Sequence, residues 1–373
     1  MLETIIIGAG PAGLSAGRHL KNCLILDQKK EIGKPVQCAE GISKESLEKE
    51  GISPNPAWIS TVINTVKVFV PSGKPITIKG EKIGFVIDRI GFEKCLAKKV
   101  QAKIQLETRV VNLERRGDIW KVTTNEGKAF QSRYLIGADG PLSIVRRRVF
   151  GEKPEILSTF EYLVELEREI DDSVIQIYFD KEKFPDGYVW IFPKSKKTAN
   201  IGLGGKGNLI ERFQYFMENQ VKPNYGNYKL LKNISGTISW GGAKMTLFKD
   251  NAFLTGDAGS LVDPVLGGGM INAMISGRVA AECILSNTPH LYERKIKSMP
   301  PFSTDLLVAQ KILYSFPNSV LNQLAEILEN KDVFYLKTFP GVFGLLSKDQ
   351  LRKNFFRLAK LFLILEKNTA SFG

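Results

Sequence analysis

The sequence has few cysteines and lacks the segments that mark secreted or membrane-spanning proteins. Its 373 residues include 4 cysteines. They form no Cys-x-x-Cys pair, so neither a zinc site nor a disulfide framework is indicated. No signal peptide is visible, and no apolar run reaches the roughly 18 residues that a membrane-spanning helix needs. A reducing, cytoplasmic setting is therefore expected. Internal repeats and low-complexity tracts are also absent from the sequence.

The charge balance is strongly basic. Lys and Arg number 52 against 39 Asp and Glu, which gives a net charge of +13. Such an excess is typical of proteins that meet nucleic acid, anionic lipid or an anionic substrate, but solvated surface lysine explains it equally simply. Since no nucleic-acid motif accompanies the charge, we expect no nucleic-acid partner. The segment 351–365 places Lys and Arg among Phe and Leu at near-helical spacing. It fits a helix on an anionic membrane surface or one packed on the protein's own core.

A glycine-bearing motif, Gly8-Ala9-Gly10-Pro11-Ala12-Gly13, follows the short apolar run 4–7. In a strand–turn–helix unit the first glycine allows a tight turn, the second lets the backbone approach a pyrophosphate, and the third lets the helix pack closely. A second strand, Cys23–Leu26, ends at Asp27, where a carboxylate can accept hydrogen bonds from the adenosine ribose. The spacing predicts a dinucleotide site, whose cofactor-binding residues are Gly8, Gly10, Pro11, Ala12, Gly13, Asp27 and Gln28.

A second segment, Gly256-Asp257-Ala258, follows the apolar run 252–255. A carboxylate at this strand end can accept a hydrogen bond from a ribityl hydroxyl, so the two motifs together indicate FAD. The alternative is that Asp257 only caps the next turn. Further along, Gly267-Gly268-Gly269 precede a helix that begins near Met270. Amides exposed there allow close approach of a flat ring, and the helix N-terminus would stabilise negative charge on it.

The pattern along the chain predicts an α/β protein, α+β overall, with interleaved domains. A Rossmann-like FAD-binding domain is predicted over residues 1–50, 80–150 and 245–290. An antiparallel-sheet substrate domain is predicted over 51–79 and 151–244, and a helical C-terminal region over 291–373. Within these regions we expect helices at 11–20, 90–101, 209–219 and 269–286, and extended chain at 235–246.

Aromatic residues alternate along one predicted strand of the substrate domain. Tyr188, Trp190 and Phe192 share one face because side chains in a strand alternate. Such a face suits a wall for a long apolar substrate, and it suits a sandwich core equally. Elsewhere Cys38 stands alone in a loop, where a cysteine is more often a small buried apolar group than a catalyst.

These motifs, together with Asp139-Gly140 in YLIGADGPLSIVRR, resemble the FAD-binding fingerprints of the group that includes aromatic hydroxylases. Three further segments narrow the resemblance to the geranylgeranyl reductase family: PVQCAEGI, GYVWIFPK and VDPVLGGGMINAMISGRVAAE. The resemblance covers residues 1 to about 290. The chain departs from the family at Gly259-Ser260, at Trp240 and in its short C-terminal region. These departures concern the length and headgroup of the substrate rather than FAD binding.

The resemblance adds candidate residues to both domains. It implies that Arg89 and Asp139 lie near the cofactor, with a surface salt bridge and a common turn as the alternatives, and Val111 is assigned to the same site. It also implies that Cys38 lies beside the active site, where it or Glu40 can aid proton delivery. The motif YxWxFP, which contains Tyr188, Trp190 and Phe192, would line the substrate pocket.

The resemblance implies an FAD-dependent oxidoreductase that reduces isolated C=C bonds in a prenyl-chain lipid or isoprenoid diphosphate by hydride transfer from flavin N5. NAD(P)H or a ferredoxin would supply the electrons, in the cytoplasm or peripherally at the inner face of the membrane. One alternative is an FAD-dependent monooxygenase or halogenase-like enzyme on the same fold, using NAD(P)H and O2, although the WxWxIP motif of halogenases is absent from the sequence. Another is a flavin-binding membrane-surface protein without this chemistry.

Overall fold

The protein consists of two compact units that are both discontinuous in sequence. The computed structural model describes residues 1–329, 331, 336 and 338–368. Unit 1 comprises Met1–Val36, Arg89–Ile156 and Ile238–Leu307, and unit 2 comprises Gln37–Asp88, Leu157–Thr237 and the described residues from 308 onwards. The chain therefore passes between the units several times before it ends.

The described residues form the following strands and helices. The strands are β1 (Leu2–Ile7), β2 (Cys23–Leu26), β3 (Gly41–Ser43), β4 (Ile59–Phe69), β5 (Pro75–Ile87), β6 (Lys103–Gln105), β7 (Val110–Arg116), β8 (Ile119–Thr124), β9 (Ala129–Gly137), β10 (Ile156–Leu166), β11 (Val174–Tyr178), β12 (Tyr188–Pro193), β13 (Thr198–Gly205), β14 (Tyr228–Ser239), β15 (Phe248–Lys249) and β16 (Ala252–Leu254). The α-helices are α1 (Pro11–His19), α2 (Lys44–Lys49), α3 (Arg89–Ala97), α4 (Leu209–Phe216), α5 (Lys222–Tyr225), α6 (Met270–Leu285), α7 (Tyr292–Ser298), α8 (Asp305–Leu313), α9 (Asn318–Ile327), α10 (Phe339–Ser347), α11 (Asp349–Lys353) and α12 (Phe355–Asn368).

Unit 1 is built on an eight-stranded sheet with the order β15–β16–β9–β1–β2–β6, to which β7 and β8 are joined through β9. The pairings of β1 with β2 and β9, of β2 with β6 and of β16 with β9 are parallel. Helices α1 and α6 pack closely, because a Cβ on Gly277 would lie 2.1 Å from the Ala12 carbonyl oxygen. The predicted Rossmann-like arrangement is thus confirmed in this unit.

Unit 2 is built on a second eight-stranded sheet, with the order β14–β10–β13–β12–β11–β4–β5–β3. Strands β10, β13 and β12 pair antiparallel, whereas β11 pairs parallel with β4. One face of this sheet carries the core: Val189, Ile191 and Ile201 are buried there with Phe213 and Phe216 of α4. Since side chains alternate along each strand, the intervening residues lie on the opposite face.

The unit boundaries differ from the domain boundaries expected from the sequence. Residues 37–50 and 80–88 were expected in the FAD-binding domain, but they belong to unit 2 because β3 pairs antiparallel with β5. Residues 238–244 belong to unit 1. The expected separate C-terminal region is divided, since the chain up to Leu307 belongs to unit 1 and the described residues beyond it to unit 2.

Two local expectations also need revision. The segment 235–246 is extended only as far as Ser239, because the Trp240 N–H donates to the Glu155 carbonyl and Gly242 adopts a left-handed φ of +64°. In the C-terminal region, where helices were expected, the described residues form helices α7 to α12. Residues 330, 332–335, 337 and 369–373 of that prediction lie outside the described residues. Over the described part of the chain, we find no helix with the length and apolar character needed to span a bilayer.

Candidate active site

The loop between β1 and α1 carries the first glycine motif. Gly8 has a φ of +106°, and a Cβ there would lie 2.1 Å from the Ala138 carbonyl oxygen. A Cβ on Gly13 would lie 1.9 Å from the Gly8 carbonyl oxygen, so the fold itself excludes side chains at both positions. At Gly10 an added Cβ would meet no described atom within 4 Å. The loop is thus closed on the protein side and open at Gly10, as a pyrophosphate cradle requires.

Helix α1 begins at Pro11, beside this open space. Its N-cap residue, Gly10, provides no side chain to cap the first amides, and the Leu14 N–H donates to the Gly10 carbonyl. The N–H groups of Ala12 and Gly13 come earlier in the helix and have no acceptor within it. Because these amides and the helix dipole together stabilise an anion, the residues present fit the diphosphate of FAD.

Asp27 follows β2 and fixes the turn before α1. Its carboxylate accepts hydrogen bonds from the Ala9 N–H at 2.6 Å and from the Lys29 N–H at 2.8 Å, and the residue is 5 % exposed. A carboxylate held by the backbone on two sides is preorganised to accept further hydrogen bonds from ribose hydroxyls. The next residue, Gln28, is exposed. Contacts of Asp27 and Gln28 with the cofactor remain predictions.

Arg89 stands at the first position of α3. Its Nε donates to Glu93 Oε1 at 2.7 Å, so the ion pair considered as an alternative for this arginine is present, although Glu93 is only 1 % exposed. Burial raises the pKa of Asp257 in the second glycine motif, and the positive charge of Arg89 opposes that rise. Val111 lies at an irregularity of β7 and its side chain is 40 % exposed. The assignment of Arg89 and Val111 to the cofactor site stays a prediction.

Asp139 organises the turn that follows β9. Its carboxylate accepts hydrogen bonds from the Ser143 hydroxyl at 2.6 Å and from the backbone N–H groups of Ile144 and Val145 at 2.7 and 3.3 Å. Burial raises the pKa of Asp139, and these hydrogen bonds lower it. A common turn was the alternative interpretation of Asp139, and these hydrogen bonds form such a turn. Any contact of Asp139 with the cofactor remains a prediction.

Arg146 is a component of the site that the sequence did not reveal. It is 1 % exposed, and its guanidinium donates to the carbonyl oxygens of Asp257 at 3.1 Å, Ala258 at 2.7 Å and Pro141. The side chain therefore joins the turn after β9 to the turn after β16. In the sequence Arg146 opens a run of three arginines, a pattern that indicates a solvated surface.

The second glycine motif forms a single 3-10 turn directly after β16. Gly256 has a φ of +54°, and its N–H donates to the Ser276 hydroxyl at 2.9 Å. Burial raises the pKa of Asp257, whereas the positive charges of Arg89 and Arg146 lower it. A Cβ on Gly269 would lie 3.6 Å from Asp257 Oδ1. The predicted flavin-site carboxylate and the triple-glycine loop thus lie next to each other.

The triple-glycine loop ends at the start of α6. Asp263 shapes the loop, because its carboxylate accepts the Val265 N–H at 2.7 Å and its carbonyl accepts the Gly267 N–H at 2.9 Å. A Cβ on Gly268 would meet no described atom within 4 Å, and the N-cap of α6 carries no side-chain cap. An open glycine beside the uncapped amides that start at Met270 fits the close approach of a flat, electron-rich ring.

Unit 2 contributes a sheet face of aromatic rings and glycines. Trp190 lies opposite Gly202, which lies opposite Glu161, and together they form one row across β12, β13 and β10. The flanking rows place Tyr188 beside Gly204 and Phe192 beside Asn200. The prediction that Tyr188, Trp190 and Phe192 share a face is confirmed, because Val189 and Ile191 between them belong to the core on the other side. We call this surface the aromatic face.

Glycine is required in the central row of the aromatic face. A Cβ on Gly202 would lie 2.5 Å from the Trp190 ring and 2.8 Å from Glu161 Cβ. The indole therefore lies flat over the strand, and its Nε1 donates to Glu161 Oε2 at 3.0 Å. At Gly41, on β3, a Cβ would lie 2.4 Å from the Phe192 ring. Whether the aromatic face is the substrate wall remains a prediction.

Glu40 is fixed by a buried ion pair. Its Oε2 accepts hydrogen bonds from Lys194 Nζ at 2.6 Å and from Asn200 Nδ2 at 2.9 Å, and its side chain is 7 % exposed. Its φ of +69° is rare for a residue with a side chain. The Glu40 N–H donates to Cys38 Sγ at 3.2 Å, so the two predicted catalytic residues are neighbours. A proton-source role for Glu40 stays a prediction.

Two family models match this chain. One described as the geranylgeranyl reductase catalytic domain matches residues 155–238, which contain the aromatic face. One described as pyridine nucleotide-disulphide oxidoreductase matches residues 5–169.

Similar proteins cover nearly the whole chain. A digeranylgeranylglycerophospholipid reductase of Methanocaldococcus jannaschii is 34 % identical over 367 residues, which cover 90 % of this chain and 93 % of that protein. One of Methanosarcina acetivorans is 30 % identical over 361 residues, 88 % of each chain. The crystal structure of a geranylgeranyl bacteriochlorophyll reductase-like protein from Thermoplasma acidophilum matches with a TM-score of 0.82 and 25 % identity, over 95 % of this chain and 99 % of that one. The predicted resemblance, FAD cofactor and oxidoreductase class are confirmed.

Proposed function

This chain belongs to the geranylgeranyl reductase family of FAD-dependent oxidoreductases, and we propose that it reduces the isolated carbon–carbon double bonds of geranylgeranyl chains in a glycerophospholipid. The aromatic face carries this proposal. It lies within the residues matched by the catalytic-domain model, and rings stacked over glycines present a flat apolar surface to which a prenyl chain is complementary. Two relatives that match nearly the whole chain act, by their names, on lipids of this class.

Unit 1 holds the cofactor in this proposal. The free N–H groups of Ala12 and Gly13, beside the open space at Gly10, receive the diphosphate, Asp27 the ribose, and the loop at Gly268 the flat ring. FAD, when bound, supplies the two electrons of the reduction as a hydride. The uncapped N-terminus of α6 stabilises negative charge on the ring that the loop receives.

Unit 2 orients the substrate and excludes water. An isolated alkene has no carbonyl group that a protein can polarise, so the rate depends on holding the chain in one position and on a dry surface. Trp190 is 8 % exposed and contacts Tyr188 ring to ring, with 5.9 Å between centroids. Phe192 covers Gly41 further along the same face. The aromatic face can therefore contact the prenyl chain along its length. Apart from the buried polar groups, it has no hydrogen-bonding partner for water.

We further propose that the C-terminal helices meet the anionic membrane surface that contains the substrate lipid. On α12 the exposed residues Phe356, Lys360, Leu363 and Lys367 follow a helical stripe, and Phe356 is 86 % and Leu363 67 % exposed. Apolar side chains between lysines suit insertion among anionic headgroups. The expected setting is the cytoplasmic face of the membrane, with NAD(P)H or a ferredoxin as electron donor. Flotation with anionic vesicles, but not with neutral ones, tests this attachment; equal recovery with both contradicts it.

The test of the reaction uses the purified FAD-loaded protein, a phospholipid with geranylgeranyl chains and dithionite as reductant. Mass spectrometry should show a gain of two hydrogen atoms for each double bond reduced. Incorporation of oxygen coupled to NAD(P)H oxidation would instead support the monooxygenase or halogenase alternative. A protein that binds FAD and lipid but changes neither would support the membrane-surface alternative.

A further inference from the structure

A second carboxyl group lies in the middle of the aromatic face and differs from Glu40 in its surroundings. Glu161, on β10, is 2 % exposed. Its Oε2 accepts one hydrogen bond, from Trp190 Nε1 at 3.0 Å. Its Oε1 is buried and has no hydrogen-bond partner among the described residues. A buried polar atom without a partner is costly and uncommon, which suggests that a bound molecule or a transferred proton uses it.

We propose that Glu161 is the proton donor of the reduction, delivering from its unpartnered oxygen the proton that the second alkene carbon receives. This inference rests on the proposed function, because it assigns a residue to that reaction. The row Glu161–Gly202–Trp190 places the carboxyl beside the indole, on the face where the prenyl chain would lie. Gly202 allows this packing, because a Cβ there would lie 2.5 Å from the indole and 2.8 Å from Glu161 Cβ.

The surroundings of Glu161 favour its protonated form near neutral pH. Burial is the main cause of a pKa raised to about 7; the negative charge of Glu40 also raises it, whereas the Trp190 hydrogen bond and the charges of Lys194 and Lys232 lower it. A donor with a pKa near the working pH is both protonated and able to release its proton. The two carboxyl groups differ in their partners, because Glu40 lies in an ion pair with Lys194 whereas Glu161 is held by the uncharged indole of Trp190.

The atoms and electrons balance as follows. The π bond of the alkene breaks; one carbon gains the hydride that reduced FAD supplies, and the other gains the proton of Glu161. The O–H bond of the carboxyl breaks and leaves Glu161 as a carboxylate, which recovers a proton from water after the product leaves. The electrons come from the external donor that reduces FAD.

The first experiment separates proton delivery from the other steps. The FAD-loaded protein is reduced with dithionite, and reoxidation by the prenyl lipid is followed by stopped-flow absorbance in wild type, Glu161→Gln and the matched control Glu165→Gln, which is exposed on the same strand. We expect Glu161→Gln to slow reoxidation about 100-fold or more. Its FAD content and its rate of reduction should equal those of wild type, and Glu165→Gln should behave as wild type throughout.

The second experiment measures the proton itself. Infrared spectra of the FAD-loaded protein without substrate should contain a protonated-carboxyl band that titrates near neutral pH and is absent from Glu161→Gln. In Trp190→Phe the carboxyl loses the hydrogen bond that lowers its pKa. Both that titration and the alkaline limb of the reoxidation rate should therefore move to higher pH. If Glu161 has a purely structural role, the infrared titration still moves but the alkaline limb of the reoxidation rate does not.

The outcomes distinguish the two proposals. If wild type reduces the lipid and Glu161→Gln does so at the same rate, the proton-donor proposal is overturned and the proposed function stands. If wild type binds FAD but never reduces the lipid, the proposed function fails and this inference falls with it. If Glu161→Gln does not fold, the Trp190→Phe shift decides, and an unchanged pH profile in that variant overturns the inference.

Discussion

Replacing Glu161 with Gln changes how the stability of the protein depends on pH. In the folded chain, burial raises the pKa of Glu161 from 4.5 to about 7. Because the folded-state pKa lies above the unfolded one, the stabilising contribution of the protonated carboxyl is complete below pH 4.5. It is then lost as the pH rises through about 7. Gln cannot ionise, so the variant does not undergo this loss.

The magnitude follows from the two pKa values. A rise from 4.5 to about 7 corresponds to about 3 kcal/mol, since each pKa unit is worth about 1.4 kcal/mol. Between about pH 5 and pH 8 the free energy of unfolding of Glu161→Gln should therefore rise, relative to wild type, by about 2 to 3 kcal/mol. Gln can accept the same indole hydrogen bond, so any other difference between the two proteins is a constant offset.

The assay is urea unfolding of the FAD-loaded protein at a series of pH values, with the difference between variant and wild type plotted against pH. Other titrating groups are the same in both proteins and cancel in that difference. Glu165→Gln is the control, and its difference should stay flat because Glu165 is exposed to water in both states. A flat difference for Glu161→Gln as well would show that the carboxyl is not held neutral, and the reasoning on its environment would be refuted.

Three further predictions concern the site and use five substitutions. Gly10→Ala should leave the stability of the FAD-free protein unchanged, because the added Cβ meets open space, but it should weaken FAD binding about tenfold or more in titrations. Gly13→Ala should instead lower the free energy of unfolding by about 3 kcal/mol. Equal FAD affinity in Gly10→Ala and wild type would contradict the assignment of this loop to the diphosphate. Gly202→Ala should cost about 1 to 3 kcal/mol and slow lipid reduction, since the Cβ would lie 2.5 Å from the indole. Gly204→Ala, with neighbours at 3.6 Å or more, should be tolerated, and equal behaviour of these two variants would show that the indole is not held over the strand. Arg146→Met should lower the free energy of unfolding by about 3 kcal/mol, because the carbonyl oxygens of Asp257 and Ala258 lose their hydrogen-bond donor. An unchanged midpoint in urea titration would show that these hydrogen bonds do not stabilise the fold.

Local patterns predicted the cofactor half of the molecule well. Strand β2 has the predicted bounds, α1 is one residue shorter than the predicted helix at its C-terminal end, and α6 is one residue shorter at each end. These elements are encoded by short-range rules, since an apolar run, a glycine turn and a helix start need only neighbouring residues. The same holds for the shared face of Tyr188, Trp190 and Phe192, which follows from strand periodicity alone.

The features that the sequence did not reveal depend on pairing over long distances. Strand β3 joins the second sheet only because Gly41 pairs with Val86, and no local pattern specifies that partner. Arg146 looks like one charge of a surface run, yet two of its carbonyl partners, those of Asp257 and Ala258, lie more than 100 residues further along the chain. Glu161 alternates with apolar residues as an ordinary outward-facing residue of a strand would. Its burial becomes visible only when the strands are assembled.

The arrangement of Glu161 and Glu40 explains why a reductase of unactivated alkenes would keep two buried glutamates in one unit. A charged carboxylate beside a prenyl chain loses its hydration without compensation, so a donor on an apolar face has to be neutral before it acts. Trp190 gives Glu161 a single hydrogen bond, which holds the carboxyl in place; burial outweighs the lowering of the pKa by that bond. Lys194 pairs with Glu40 instead; the negative charge of Glu40 raises the pKa of Glu161, and the positive charge of Lys194 lowers it. Removing Lys194 would therefore raise the pKa of the donor even though the lysine itself transfers nothing to the substrate.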